Sequence, residues 1–308
     1  MIKAAGVRTF GGAIETLDLP APRALRPDEV RIAVRAAGVG NWDEFVRAGR
    51  WDVGVRPPMA LGVQAAGVVT AAGPDVRGFE AGALVTAHSV PLREQGSWAA
   101  EFTAPAGHVA AVPPGVPPEV AAAVPIPLLT ADQAVADAAR AASGQTVLVH
   151  GAGGVTGGII VQLAVHYGAR VVATAGPASA DRVRELGAAT VVDYHQPGWP
   201  DRTLALTGGV DAAVNAAVYG ERDALAVVRD GGRLATITGN PPPPSRGIEV
   251  VPVLVIPNGA RLARLLQLLA NGVAAVTVGF RYGLDEAAAA LDQIHRGTHG
   301  AAVVVRPA

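Results

Sequence analysis

TVLVHGAGGVTGGIIVQLA, residues 146–164, carries an apolar, β-branched strand straight into a glycine cluster and from there into an amphipathic helical segment. That order is the shape of a dinucleotide pyrophosphate site. Glycines let the backbone turn tightly and approach phosphate oxygens, while the unpaired N–H groups and positive dipole end of the following helix attract the anion. A glycine pattern alone is weak evidence, and it gains weight only from a run of alternating strands and helices after it.

Downstream, short apolar runs recur at residues 170–176, 190–194, 211–217, 232–239 and 249–256, separated by helical or loop segments. Parallel strands covered on both faces read as near-continuous apolar runs, and their alternation with helices implies right-handed crossovers. With the strand at 146–150, six strands make one doubly wound, Rossmann-type parallel sheet, an α/β fold.

Before this unit the texture differs. Alternating strands such as 29–36 and 67–72, glycine and proline turns and a brief helical signal at 41–48 describe a small β-rich domain. A proline-rich stretch, 113–127, leads into a helix expected at 129–142 and marks the junction. After the sixth strand come a helix at 258–271 with Leu262, Leu265, Leu266 and Leu269 on one face, a helix at 284–296 and a strand at 301–305. The expected division is therefore 1–117 plus 256–308 for the β-rich domain and 118–255 for the dinucleotide-binding domain.

Composition agrees: 308 residues with 50% apolar content suit about two domains with large cores. The 25 basic and 26 acidic residues form no run of one sign, so neither a nucleic-acid stripe nor a polybasic membrane patch is expected. Lys3, Arg8 and Glu15 interrupt the N-terminal segment, which does not read as a signal peptide. No apolar stretch reaches the ~20 residues of a membrane span, and the expected location is the cytoplasm. Cysteine is absent, which excludes thiolate chemistry within these residues.

At this point the chain resembles the medium-chain dehydrogenase/reductase superfamily, and its quinone oxidoreductase branch in particular, over essentially its whole length. Gly38-Val39-Gly40-Asn41-Trp42-Asp43, then Arg47, Gly49 and Trp51, is similar to the segment VNxxDxxxRxGxY. Leu61 to Val69, then Gly73, Val76, Phe79, Gly82 and Val85, resembles GxDxxGxVxxxGxxVxxFxxGDxV. Ser97 to Phe102, Leu129-Thr130-Ala131 and Glu185-Leu186-Gly187-Ala188 fall in the expected order. The resemblance implies a GroES-like β-rich catalytic domain beside the Rossmann domain, and a homodimer paired through the last Rossmann strand.

It also implies a reaction. Zinc-dependent members carry a histidine where this chain has Val63, and a four-cysteine lobe that has no counterpart here. Zinc needs three protein ligands and an open position, and this donor set does not supply them. His295 and His299 are four apart, but Gly297 stands between them at a helix end, where solvated histidines are the ordinary reading. Hydride delivery to an already electron-poor quinone or enone needs mainly positioning. The expectation is a zinc-free, NADPH-dependent reductase of a quinone or α,β-unsaturated carbonyl, with no side-chain catalytic acid singled out. A biosynthetic tailoring reductase or redox-neutral cyclase on a polycyclic substrate, and a non-enzymatic NADPH-binding protein, remain rival readings.

Candidate residues can be assigned on this frame. Counting back from Gln162 sets Ala152, Gly154 and Gly157 on the fingerprint AxGGVG, with Gly154, Val155 and Thr156 for the pyrophosphate and Gly157 for packing. The second strand ends in Ala175-Gly176-Pro177-Ala178-Ser179 without a carboxylate for a ribose 2'-hydroxyl, which favours NADP. Ser179 and Arg182 are the candidates for its 2'-phosphate; a helix N-cap and a solvated arginine are the alternative. The resemblance places Asn41, Thr130, Thr238 and Gly239 around the nicotinamide, whereas a turn residue and a helix cap are the plainer readings of Asn41 and Thr130. Trp42, Trp51 and Tyr219, the last at a position where relatives have glycine, join Asn41 as candidate pocket residues that could stack a flat acceptor. With only 4% aromatic content, core packing competes for these side chains. Gln64 and Ala301 replace an acidic residue and a lysine usual in relatives.

Overall fold

The computed structural model describes residues 1–307. The chain forms two compact units, one made of Met1–Ile126, Pro257–Gly272 and the chain from Val276 on, the other of Pro127–Ile256 with Val273–Ala275. The first begins with β1 (Ile2–Val7), β2 (Glu15–Leu19), β3 (Glu29–Val39), α1 (Asn41–Arg47), β4 (Met59–Ala60), β5 (Gln64–Ala72), β6 (Leu84–His88), β7 (Glu101–Pro105), β8 (Val109–Ala111) and α2 (Pro118–Ala123).

The helix expected at 129–142 starts earlier, as α3 (Pro125–Asp132), and passes into a π-turn at Gln133–Ala138. Proline is tolerated in the first turn of a helix, where no N–H is required of it. The second unit continues with β9 (Thr146–His150), α4 (Val155–His166), β10 (Arg170–Thr174), α5 (Pro177–Glu185), β11 (Thr190–Val192), α6 (Trp199–Thr207), β12 (Val210–Asn215), α7 (Glu221–Ala226), β13 (Val228–Thr236) and β14 (Glu249–Pro252). All six strands pair in parallel in the order β11-β10-β9-β12-β13-β14. Leu148, Val172, Val210, Ala213 and Leu234 bury one face of the sheet with Trp199, Val227 and Ile248. Helix α4 is not amphipathic: Gly157 to Ala164 are all buried, which makes it a central helix of the unit.

The chain then returns to the first unit with α8 (Gly259–Ala270), β15 (Val278–Gly283), α9 (Ala287–Arg296) and β16 (Ala302–Arg306). Asn258 caps α8 by accepting the N–H of Arg261 at 2.8 Å, and Leu262, Leu265 and Leu266 bury its apolar face. A seven-stranded sheet runs β15-β16-β3-β5-β6-β8 with β7 paired to β3, beside a three-stranded sheet β2-β1-β4. Strand β15 has no counterpart in the sequence expectation, because VGFRYG mixes glycine, charge and aromatics without a clean alternation.

The boundaries differ from the sequence expectation for identifiable reasons. Residue 118 does not open the dinucleotide-binding unit, because α2 packs its buried Ala121, Ala122 and Ala123 on β3, β5 and β6. Residues 273–275 belong to the second unit, where Gln162 on α4 donates to the carbonyl of Ala275 at 3.1 Å and accepts its N–H at 2.7 Å.

Candidate functional site

The glycine cluster forms a turn at the carboxyl end of β9. Gly151 adopts φ +88° and lies so close to the chain after β12 that a β-carbon would stand 2.9 Å from the Ala216 carbonyl carbon and the Ala217 nitrogen. Gly154 is the N-cap of α4, and a β-carbon there would meet nothing nearer than the Gly151 oxygen at 3.9 Å. At Gly157 the same addition would come within 2.1 Å of that oxygen. The two glycines therefore do different work: Gly157 permits packing, while Gly154 leaves open space above the helix start. The N–H groups of Val155 and Thr156 belong to the first turn of α4, where a helix has no internal acceptors for them. Ala152 is fully buried and donates its N–H to Thr174 O at 3.1 Å, so it supports the turn from beneath.

At the carboxyl end of β10, α5 begins on Gly176 as N-cap, not on Ser179. Ser179 is buried, its hydroxyl makes no hydrogen bond, and its Cβ and Oγ lie 3.4 Å from where a β-carbon on Gly153 would be. Arg182 does not lie on a solvated face. It reaches inward and donates from Nη2 to the carbonyl of Gly153 at 2.7 Å, its Nε is buried without a partner, and burial lowers its pKa. The guanidinium thus holds the glycine turn by the carbonyl of Gly153. His195, which the sequence expectation does not include, packs against Gly176, where a β-carbon would come within 2.6 Å of its Cε1. Its Nδ1 contacts Asp193 at 2.9 Å, and its ring lies 4.1 Å from that of Tyr194.

A bonded polar network closes the ends of β9, β12 and β13. Thr174 Oγ1 accepts the N–H of Gly151 at 3.0 Å and lies 2.6 Å from His150 Nδ1; burial lowers the His150 pKa, so the neutral ring is favoured. His150 stacks on Trp199 at 4.8 Å between centroids. Asn215 donates to Ala217 O at 3.0 Å and Thr238 Oγ1 at 3.2 Å, and its Oδ1 accepts the Ala217 N–H at 3.2 Å. The Thr238 hydroxyl donates to the buried carboxylate of Glu221. Thr238 and Gly239, with φ +84° at Gly239, thus leave β13 on a fixed path. Polar residues interrupting an apolar strand at its carboxyl end, as in the run VNAAV, were the signal for Asn215. Thr130 stands inside α3, buried, and does not cap it. In this same region Tyr219 is 84% exposed and holds φ +62°.

The first unit holds the remaining candidates. Asn41 is exposed as the first residue of α1, and Gly40 is its N-cap, donating to Asp43 Oδ2 at 2.9 Å. Trp42 folds its ring back over Gly40, within 2.4 Å of a β-carbon placed there, and its buried Nε1 has no partner. Trp51 is half-buried, its N–H bonded to Phe45 O at 3.1 Å. Gln64 is wholly buried and ties β5 to α2, donating to Ala123 O at 3.3 Å and accepting the Ile126 N–H at 2.8 Å. It is a clamp within the core. Burial pushes the Asp43 carboxyl up to about 8 and the His88 imidazole down to about 4, so both are neutral groups. Among the described residues no group of three or more His, Cys, Asp or Glu side chains is arranged to hold a metal ion, and no helix is long and apolar enough to cross a membrane.

Residues 26–117 match the alcohol dehydrogenase GroES-like domain model, and residues 186–305 match the zinc-binding dehydrogenase model. The chain is 39% identical over 232 residues to the spectinabilin polyketide synthase system protein NorB of Streptomyces orinoci, matching 72% of this chain but spanning only 10% of that protein. It is 29% identical over 310 residues to the 2-methylene-furan-3-one reductase of Solanum lycopersicum, covering 96% of this chain and 77% of that one. A mycobacterial quinone oxidoreductase superposes with a TM-score of 0.86 at 29% identity, and a mycobacterial protein complexed with NADPH with 0.86 at 28%, each over 100% of both chains. With a GroES-like β domain, a six-stranded Rossmann-type sheet and an open glycine turn between β9 and α4, the chain belongs to the medium-chain dehydrogenase/reductase superfamily of oxidoreductases.

Proposed function

We propose that the protein is a zinc-independent reductase that passes hydride from NADPH to a quinone or an α,β-unsaturated carbonyl. The observation that carries the reading is the contrast between Gly154 and Gly157: one leaves open the face of the helix start where a pyrophosphate binds, and the other packs. The residues present fit the dinucleotide. Val155 and Thr156 offer backbone N–H groups to the pyrophosphate, and Gly154 adds its own in place of a long 3.4 Å bond to the Gly151 carbonyl. No carboxylate follows β10 in sequence, while Asp193 after β11 is engaged by His195 Nδ1. Ser179, with its unbonded hydroxyl, and His195, beside Gly176, take that phosphate, while Arg182 orients the turn through Gly153. When bound, NADPH supplies the hydride. The chain's part is to fix the turn through Arg182 and Thr174, and to fix the exits of β12 and β13 through Asn215, Thr238 and Glu221.

The likeness to the plant enone reductase and to the mycobacterial quinone oxidoreductase supports an electron-poor carbonyl acceptor. The zero cysteine count and Val63 support a site without zinc. The similarity to polyketide synthase proteins, of each of which this chain spans a tenth or less, favours a second reading as a tailoring reductase on a biosynthetic enone. We further propose a homodimer through β14, an edge strand followed by Leu254 at 80% and Ile256 at 68% exposure. Steady-state oxidation of NADPH and NADH against quinones, enones and simple aldehydes tests the reading. Turnover with a quinone or enone and a preference for NADPH supports it. Tight NADPH binding without turnover on any of them overturns the simple reductase in favour of the tailoring role. Sedimentation reads the dimer.

A further inference from the structure

The turn after β12 holds a tyrosine where its backbone favours glycine. Tyr219 adopts φ +62°, in the left-handed region, yet its side chain makes no hydrogen bond and is 84% exposed. Nothing in the packing of the unit rewards an aromatic ring there, and a strained, exposed side chain points toward a ligand role. The turn around it is locked from both sides. Asn215 holds Ala217 by its N–H and its carbonyl, and the Gly220 N–H bonds to Ala217 O at 3.1 Å. Gly220 is pressed against the neutral, buried His150, so close that a β-carbon would stand 2.3 Å from Nε2. The ring is therefore presented by a fixed backbone on a short lever.

Its place in the sheet says what it meets. The strand order reverses between β9 and β12, and ligands of such sheets bind outside the carboxyl ends at that switch. The chain immediately before Tyr219 runs against Gly151 of the pyrophosphate turn. The 2'-phosphate candidates stand at the ends of β10 and β11, so the β12–β13 side is the nicotinamide half, where hydride leaves. Resting on the reductase reading above, we propose that Tyr219 is an acceptor-binding residue whose ring stacks on a planar, multi-ring acceptor. The enzyme is thereby tuned to extended flat quinones or polycyclic enones over short acyclic ones. Stacking uses the ring face and needs no hydroxyl.

Tyr219→Gly and Tyr219→Phe, assayed with phenanthrenequinone and with methyl vinyl ketone at varied NADPH, test this. Tyr219→Gly removes the left-handed penalty and is expected to raise the melting temperature by about 2 to 4 °C. It also raises the KM for phenanthrenequinone about 3- to 10-fold and leaves the KM values for methyl vinyl ketone and NADPH unchanged. Tyr219→Phe behaves as wild type. An unaltered phenanthrenequinone KM in a more stable Tyr219→Gly protein overturns the proposal, and so does an equal rise in the NADPH KM with both acceptors, which would put the ring on the cofactor. If the wild type turns over neither acceptor, the reductase reading fails separately. Fluorescence titration of phenanthrenequinone into NADP-loaded protein then still decides Tyr219: binding weakened in Tyr219→Gly supports it, and equal binding overturns it.

Discussion

The strand ends of the Rossmann-type unit and the first turn of α1 in the β-rich unit both hold polar side chains away from water, but they treat them differently. Around β9, β12 and β13, His150, Thr174, Asn215, Thr238 and Glu221 bond to one another and to the backbone of the turns they close. Around α1, Trp42 Nε1 and Asp43 Oδ1 are buried without partners, as is His88 Nε2 on β6. A bonded network fixes geometry at little cost, whereas an unbonded buried group carries its desolvation penalty. The strand ends around β9, β12 and β13 are preorganised, whereas Trp42, Asp43 and His88 of the β-rich unit keep unpartnered polar atoms on neutral groups.

Substitutions can break that contrast, and the largest effect belongs to the glycine turn. Gly157→Ala drives a β-carbon into the Gly151 carbonyl and is expected to cost about 3 kcal/mol or more of stability. Gly154→Ala, with space around it, melts like wild type but weakens NADPH binding at least tenfold by filling the pyrophosphate face, or about 1.4 kcal/mol. Thermal melts beside cofactor titration separate the two, and equal melting would dissolve the distinction between packing and binding glycines.

Next comes Asp43. Its pKa rises from 3.8 in the unfolded chain to about 8 in the folded one. Below about pH 4 both states are protonated, and between pH 4 and 8 the unfolded chain loses a proton that the folded chain keeps, so this group lowers stability as pH rises. Asp43→Asn keeps an acceptor for the Gly40 N–H and cannot ionise. Its melting temperature is expected to exceed that of wild type by a margin that grows from pH 5 to pH 8; a margin independent of pH would show that the carboxyl is charged in the fold.

Smaller effects sharpen the other side. Glu221→Leu removes the carboxylate acceptor of the Thr238 hydroxyl, leaving it only Thr236 Oγ1 at 3.0 Å, and is expected to cost about 1 kcal/mol, with NADPH turnover falling as the β13 exit loosens. Arg182→Met keeps the apolar stem but frees the Gly153 carbonyl. About 1 kcal/mol of stability is lost, and affinity for NADPH and NADH falls together. A selective loss of NADPH would return Arg182 to the 2'-phosphate.

The sheet is legible in the sequence because a parallel strand buried on both faces leaves an unmistakable apolar run, and the glycine turn because its chemistry needs residues without β-carbons. The runs overreach at their carboxyl ends, to 217 and 239 where β12 and β13 stop at Asn215 and Thr236, because Ala216, Ala217 and Ile237 extend the apolar pattern into the turns. Arg182 is hard to assign because spacing gives a helix position but not the reach of a long side chain toward a carbonyl on another turn. His195 is invisible for a related reason: only the fold brings the loop after β11 against Gly176. In the β-rich unit Gln64 reads only as a replaced acidic residue, and its role as a clamp depends on bonds to Ala123 of α2 and Ile126 of α3, 59 and 62 residues away in sequence.

A crystal structure of the protein with NADPH decides where the cofactor lies. The pyrophosphate is expected on the N–H groups of Gly154 and Val155, the 2'-phosphate against Ser179 and His195, and Arg182 still bonded to the Gly153 carbonyl. A pyrophosphate seated away from Gly154, or a 2'-phosphate paired with Arg182 and remote from His195, would contradict this placement.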